Sequence, residues 1–333
     1  MSDLTFEVPL RITVSLGSAA PSTGICMKQK SDAGAGPGLE RGGIDYSNRK
    51  GYDPNFLGIA VPLPVLTDEQ RRSAAKNSKA RSGEDSTVLP YHHFSIVMNR
   101  RRQLAYYTAV NIDGARSRDL RRTKDPWCYD SRIAESEQIG GELYVRNQLD
   151  RGHLVRRLDP CWGSEDDAVA AELDTFTYTN CSPQHAQFNQ NDETWQGIEN
   201  YLLGSAQQQG SKMTIFTGPI TTEEDPLYRG IRLPMAFWKI AVTGRKDKTL
   251  EVSAYILEQT ELIKDLDGLE RFEPQTFQVT VEEICERTGL NFNYLAEAQV
   301  EVPAASEGPE RAWPYARRPL AQTRDICLNR RKA

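Results

Sequence analysis

The sequence predicts an α+β fold with a mainly antiparallel sheet flanked by helices. Two observations support this: strand-like runs follow one another along the chain, and helical segments occur among them at irregular intervals. The first clear strands, HHFSIVMN and QLAYYTAVNID, are joined by a short basic turn and predict a β-hairpin. Residues 91–300 would form one domain, preceded by an extension over 1–90 that is partly loop and followed by a tail over 301–333.

The later elements follow from local patterns. Residues 165–173 and 194–208 have helical composition. Thr280 and Glu283 predict a capping box, and Gly289 suits the end of the helix that this box begins. The further predicted strands cover residues 142–147, 212–217, 235–243, 250–256 and 275–279.

Composition excludes several classes of protein. No apolar run approaches the roughly 18 residues that a membrane-spanning helix needs, and the start of the chain lacks the basic and apolar regions of a secretory signal. We therefore expect a cytoplasmic protein that does not enter a membrane. The six cysteines include no CxxC pair, which favours free thiols over a disulfide framework or a zinc ribbon.

Positive charge is concentrated in one part of an acidic chain. The whole chain carries a net charge of −5, whereas the segment from Met98 to Arg157 has thirteen Lys or Arg and eight Asp or Glu, a net charge of +5. A protein that coats nucleic acid with its whole surface would be basic throughout. The sequence instead predicts a local basic site.

The segment QLDRGHLVRR lies in this basic region and contains His153. Gly152 permits close backbone approach beside the imidazole, and Arg151 supplies a fixed cation. A neutral imidazole can take a proton from water while a guanidinium stabilises the extra charge on phosphorus. The grouping therefore suits attack on a phosphodiester. His92 and His93, at the start of a strand, favour a structural role.

A second group of polar residues follows about thirty residues later, in TNCSPQHAQFNQNDETWQGIENYLL. It contains several amides and Glu199 near the start of a predicted helix. Mg²⁺ takes hard oxygen ligands and keeps several of its waters, so one amide oxygen and a nearby carboxylate can form a magnesium site.

These motifs resemble the DNA/RNA non-specific endonuclease family of the ββα-metal superfamily, which includes mitochondrial endonuclease G. The resemblance starts from DRGH, TNCSPQ…FNQ and the following W…E. It continues in order through FTGPI, LPMAFWKIAV and FQVTVEEICERTGL, and covers about residues 91–290. It implies a ββα-metal core with DRGH on or just after a strand and the metal-binding asparagine on the helix.

The resemblance implies a role for each matched residue. His153 would be the general base, and Arg151 would stabilise the transition state or bind phosphate. Asn189 would be the one direct side-chain ligand of Mg²⁺, for which Mn²⁺ could substitute, and Glu199 would hold the waters of the metal. Products would carry 5′-phosphate ends. An ordinary imidazole loses its proton at about pH 6 to 7, so the rate should rise over that range.

Other positions leave alternatives open. The family has a phosphate-contacting arginine upstream of DRGH; we prefer Arg121, with Arg118 and Arg122 as alternatives. Arg156 and Arg157 are assigned to substrate binding, although a solvated surface pair is an equal interpretation. Asn180 matches a polar position that supports the site.

The spacing around the metal ligand is also ambiguous. Counting forward from Pro183 and Gln184 selects Asn189, whereas counting back from Trp195 and Glu199 selects Asn191. Two extra residues between FNQ and Trp195 would explain the conflict.

The sequence thus predicts a sequence-nonspecific nuclease acting on DNA, RNA or both. The alternatives are a phosphodiesterase for small nucleotides and a catalytically inactive nucleic-acid-binding protein. The resemblance also implies a homodimer. Because such a nuclease endangers its own cell, we expect an inhibitor or an activating partner, with residues 1–90 as the natural regulatory segment.

Overall fold

The computed structural model of the chain describes residues 44–122, 125–186, 195–264, 275–302, 317–320 and 326. These residues all belong to the compact unit Glu40–Ala333. None of the helices in this part of the chain is long and apolar enough to span a bilayer.

An eight-stranded antiparallel sheet forms the centre of the fold, which confirms the predicted fold class. Its spatial order is β1-β2-β3-β6-β9-β10-β11-β12. The strands are β1 Val88–Pro90, β2 Phe94–Asn99, β3 Leu104–Asp113, β6 Lys212–Ile220, β9 Ala236–Gly244, β10 Leu250–Glu258, β11 Gln275–Val279 and β12 Arg318–Pro319. Two smaller pairs lie outside it: β4 Leu149–His153 with β5 Cys181–His185, and β7 Leu227–Tyr228 with β8 Ile231–Arg232.

The described helices pack on or beside this sheet. They are α1 Asp68–Ser73, α2 Glu165–Thr175, α3 Trp195–Gln209, α4 Thr260–Lys264, α5 Val281–Thr288 and α6 Asn293–Ala296. Thr280 caps α5 by accepting a hydrogen bond from the backbone N–H of Glu283, and Gly289 ends it in the left-handed region, at φ +68°. The cap and the glycine end agree with the sequence prediction, but the Glu283 side chain pairs with Arg317 and does not complete the predicted capping box.

The sheet buries a different hydrophobic core on each face. Side chains of α3 such as Ile198 and Leu202 pack with Phe237 on one face, which we call the α3 face. Ile284 of α5 and Phe292 pack with Trp238 on the other, the α5 face. Successive residues of β9 therefore point to opposite cores, as the pleat of a strand requires.

The ββα unit lies on the α3 side. Strands β4 and β5 form an antiparallel hairpin, and α3 follows β5 in the chain, which confirms the ββα arrangement that the resemblance implies. The predicted strand over 142–147 is wrong. A 3-10 turn, Gly141–Tyr144, occupies this place, and the side chain of Asn147 donates to the carbonyl of Leu143 and accepts from the N–H of Leu149. These local bonds favour a turn, so the strand begins later.

The edges of the sheet come from the predicted extension and tail. Strand β1 forms one edge and β12 the other, and each ends in a proline, Pro90 and Pro319. Proline lacks a backbone donor and is tolerated at sheet edges, where it also discourages pairing with another chain. The domain boundaries at 90 and 300 stay a prediction.

Candidate active site

The register of the β4–β5 hairpin positions the DRGH motif. His153 lies opposite Cys181, and Gly152 lies opposite Ser182. A Cβ atom on Gly152 would come within 2.1 Å of Oε1 of the buried Gln184 side chain. Glycine is therefore required by close packing, while Arg151 and His153, two residues apart on the strand, share one side of it.

The imidazole of His153 packs between aromatic rings at the wall of a cleft. The ring centroid of Trp127 lies 4.7 Å away at a tilt, and that of Phe176 lies 5.1 Å away, edge to face. Nε2 of His153 is buried and has no hydrogen-bond partner among the described residues. The aromatic rings hold the imidazole in place and leave one nitrogen available for a substrate or a water molecule.

The surroundings of His153 favour its neutral form. Burial lowers its pKa to about 3, and the cations of Arg122 and Arg157 act in the same direction, against the opposing effect of Asp125. This lowered pKa argues against the expected ordinary imidazole titration between pH 6 and 7. A histidine in this state is a proton acceptor at neutral pH.

The cleft has a volume of about 550 Å³, and its walls carry four arginines and three carboxylates. Its charged wall residues other than His153 are Arg122, Arg151, Arg156, Arg157, Asp125, Asp150 and Glu199. The structure thus brings His153, Arg151, Glu199, Arg156 and Arg157 together, as the sequence predicted. Arg121 is exposed and is not among the lining residues, whereas its neighbour Arg122 is.

Two of the cleft arginines are held by carboxylates. Arg122 forms an ion pair with Asp125, Nε to Oδ1 at 2.7 Å. Arg157 pairs with Glu172 and also donates to the carbonyl of Leu120 at 2.9 Å. These contacts fix the guanidinium groups at the cleft wall.

The other two arginines keep buried nitrogens without a partner in the described part of the chain. These atoms are Nε of Arg151 and Nη1 of Arg156. Arg151 lies over the ring of Tyr144, 5.4 Å from its centroid, and Arg156 donates to the side-chain oxygen of Asn200. A buried, unsatisfied donor is unfavourable, so both atoms favour an anionic ligand in the cleft.

Glu199 brings a carboxylate from α3 to the same cleft. Its Oε1 accepts from Nζ of Lys239 at 3.0 Å, and its Oε2 lies 3.9 Å from Nε of Arg156. Asp159, which is buried beside them, has its pKa raised to about 6 by burial and by Glu199, against the effect of Lys239 and Arg156. Two cations and two carboxyl groups thus form one network under the cleft.

The fit of a divalent cation depends on oxygen donors. Among the described residues, no three His, Cys, Asp or Glu side chains are grouped to hold a metal ion. Carboxylates of Asp125, Asp150 and Glu199 nevertheless line the cleft, and hard oxygen donors of this kind suit Mg²⁺. Asn189 and Asn191, the two candidate direct ligands, lie outside the described residues.

Asn180 supports the exit of β4. Its side-chain oxygen accepts from the N–H of Val155 at 2.8 Å, and its amide donates to the carbonyls of Val155 and Thr175, each at 2.9 Å. The residue is fully buried. Asn180 thus ties the chain that leaves the DRGH strand to the end of α2, consistent with the predicted supporting role.

Sequence reasoning missed Trp127, Asp125 and Lys239. Trp127 and Asp125 lie in a loop far from DRGH along the chain, and no local pattern marks them. Lys239 did leave a signal, since it is the one charged residue in the apolar run LPMAFWKIAV. A charge in the middle of a buried strand indicates an ion pair.

The chain is similar to a curated protein and to solved structures. A protein of Sinorhizobium fredii (strain NBRC 101917 / NGR234), described as "Uncharacterized protein y4fB", is 43% identical over 263 residues. The match covers 74% of this chain and 39% of that protein, so the chain spans well under half of its relative. A solved structure, "Crystal structure of the EndoG/EndoGI complex: Mechanism of EndoG inhibition", matches with 18% identity and a TM-score of 0.47, over 64% of this chain and 87% of that one.

The match to a protein family covers most of the residues that the structure describes. The DNA/RNA non-specific endonuclease family matches residues 72–299, which include both strands of the hairpin, α3 and every cleft residue named above. Because this match covers more than half of the chain, the protein belongs to the DNA/RNA non-specific endonuclease family.

Proposed function

We propose that this protein is a metal-dependent endonuclease that hydrolyses phosphodiester bonds of DNA, RNA or both without sequence preference. The observation that carries the proposal is the buried, unpartnered Nε2 of His153 in a cleft where Arg151 and Arg156 also keep unpartnered nitrogens. A proton acceptor beside unsatisfied cationic donors suits water attack on a phosphate anion. Sugar and base identity play little part in such a backbone contact.

His153 acts as the general base in this proposal. Its neutral imidazole takes a proton from a water molecule, and the water oxygen forms a bond to phosphorus. The bond from phosphorus to the 3′ oxygen then breaks, and the leaving oxygen takes up a proton. The products carry a 3′ hydroxyl and a 5′ phosphate.

The arginines stabilise the charge that develops during this step. Arg151 shares one side of β4 with His153 and offers its free Nε, and Arg156 offers Nη1. Arg122 and Arg157 hold the substrate backbone from the cleft wall. Fixed cations in a partly buried site stabilise a transition state more than flexible ones in water.

A divalent cation would be held by Asn189 together with Glu199, and Mg²⁺ is the ion we expect, with Mn²⁺ as a substitute. When bound, such an ion would supply charge neutralisation at the reacting phosphate. Glu199 contributes by keeping a carboxylate at the cleft wall, where it orients water.

One cleavage assay tests the proposal. Plasmid DNA, single-stranded DNA and RNA are incubated with the protein in Mg²⁺ or in excess chelator, at low and high salt. We expect cleavage of the polymers in Mg²⁺ only, with 5′-phosphate ends, and a steep loss of activity with salt because phosphate contacts release counterions. Binding without cleavage would indicate an inactive nucleic-acid-binding protein, and hydrolysis of small nucleotides alone would indicate a phosphodiesterase.

Control by an inhibitor or an activating partner, a homodimer and a cytoplasmic location remain part of the proposal. Sedimentation of the purified chain tests the homodimer. Deletion of residues 1–43, followed by the same cleavage assay, tests a regulatory role for the part of the extension that lies outside the described residues.

A further inference from the structure

Lys239 is a charged residue on a central strand of the sheet. It lies on β9, it is fully buried, and it points to the α3 face together with Phe237 and Ala241. A buried ammonium group is costly unless it is paired and hydrogen-bonded. Burial of Lys239 in the core therefore requires contacts that compensate its charge.

The ion pair between Lys239 and Glu199 reaches the cleft. Nζ of Lys239 donates to Oε1 of Glu199 at 3.0 Å, and the Glu199 side chain is 11% exposed. The second oxygen of Glu199 lies toward Arg156, at 3.9 Å from its Nε. One carboxylate oxygen of Glu199 is thus bound by a residue of the sheet, and the other lies at the cleft wall that also carries His153.

Helix and sheet are linked here by charge as well as by packing. Ile198 of α3, the residue before Glu199, packs in the same core as Phe237 of β9. Packing fixes where the helix lies, but a glutamate side chain has several rotamers. A directed hydrogen bond from a buried, rigid donor selects one of them.

We propose that Lys239 is a positioning residue, which fixes the orientation of the Glu199 carboxylate and so connects the core sheet to the active site. This inference rests on the proposed function, in which Glu199 holds water around a divalent cation. Lys239 would act only through Glu199 and would not touch the substrate.

The variant Lys239→Met removes the ammonium group and keeps a side chain of similar length. We expect kcat on DNA to fall by about 10- to 100-fold, because a lost outer partner of a metal site typically has that effect. KM for DNA should stay within about threefold, since no phosphate contact is removed. Binding of Mn²⁺ without DNA, followed by electron paramagnetic resonance, should weaken by about tenfold.

Lys212→Met is the matched control. Lys212 is an exposed lysine at the start of β6 that contacts the ring of Phe56. Its loss should change neither kcat nor Mn²⁺ binding.

A double-mutant cycle with Glu199→Gln separates positioning from a general loss of packing. If Lys239 acts through Glu199, the double variant should be no slower than Glu199→Gln alone. Effects that multiply in kcat would overturn the inference, as would unchanged kcat and Mn²⁺ binding in Lys239→Met. If thermal melting shows that Lys239→Met does not fold, Lys239→Gln, which keeps a polar group, replaces it in the cycle. A wild-type protein that binds Mn²⁺ but cuts no nucleic acid would overturn the proposed function, and Mn²⁺ binding would still decide the role of Lys239.

Discussion

Both faces of the central sheet bury an apolar core, and the α3 face also buries the charged network beneath the cleft. On the α5 face, Trp238 and Ile240 of β9 pack with Phe292 in an apolar core. On the α3 face, the same strand places Lys239 beneath Glu199 and Asp159. Burying charge is costly, so a protein accepts it where chemistry requires it. A buried ion pair, Glu283 with Arg317, also accompanies α5, so the faces differ in that the charged network of the α3 face lies beneath the cleft.

The largest effect expected from this division is that of His153→Ala. Removal of the general base should lower kcat by about 10³-fold or more, while folding and DNA binding stay close to those of the wild type. Cleavage rates, thermal melting and binding measured by fluorescence anisotropy check this. Activity within about tenfold of the wild type would remove His153 from the mechanism.

The metal ligand gives the next largest effect. We predict that Asn189→Ala raises the Mg²⁺ requirement and lowers turnover by about 100-fold, whereas Asn191→Ala changes little, because β5 leads into FNQ without an insertion. Cleavage at a series of Mg²⁺ concentrations measures both. The reverse result would move the ligand by two residues and leave the nuclease proposal intact.

Trp238→Ala tests the opposite face. The cavity left by this fully buried side chain should destabilise the protein by about 3 to 5 kcal/mol, while activity per folded molecule changes little. Urea unfolding and cleavage rates at low temperature provide the two measurements. Loss of activity with unchanged stability would contradict the division between the faces.

A smaller effect should distinguish Arg122 from Arg121. Arg122 lines the cleft and Arg121 does not, so Arg122→Ala should raise KM for DNA by about tenfold. The slope of log affinity against log salt concentration should become shallower by about one, which corresponds to one lost phosphate contact. Arg121→Ala serves as the matched control and should behave like the wild type. If Arg121→Ala is the weaker binder, the preference based on sequence was correct.

The smallest effect that we expect is that of pH on kcat/KM near neutrality. Since the pKa of His153 in the folded protein is lowered to about 3, its neutral form is present throughout pH 5 to 8. The imidazole should lose its function as a base only when the pH falls toward 3. We expect no rise in kcat/KM between about pH 6 and 7 that belongs to His153. A bound phosphate would raise the pKa, so kcat should show the acid limb at a higher pH than kcat/KM. A rise in kcat/KM centred between pH 6 and 7 would show that the site is more solvated than this structure.

Much of the fold could be predicted because its strands are short runs rich in apolar, β-branched and aromatic residues, separated by turn residues. Strand β11 has the predicted bounds, and the hairpin of β2 and β3 follows the predicted runs. The strand over 142–147 failed because Asn147 bonds to its own neighbours, a local effect that a run of strand-forming residues hides. Within the site, DRGH and Glu199 were identified from motifs. Trp127 was not, because it reaches the cleft through tertiary packing alone. Lys239 contacts Glu199 beneath the cleft, and its only sequence signal was a charge within an apolar run.

The close approach of Gly152 to Gln184 has a consequence for the gene. Every missense change in a glycine codon introduces a Cβ atom. At Gly152 this atom would collide with the buried side chain of Gln184, whatever the rest of the new side chain is. We therefore expect substitutions at this codon to disturb the packing of the Gln184 side chain within the hairpin. A compensating change should arise first at the codon for Gln184, where a shorter side chain would make room.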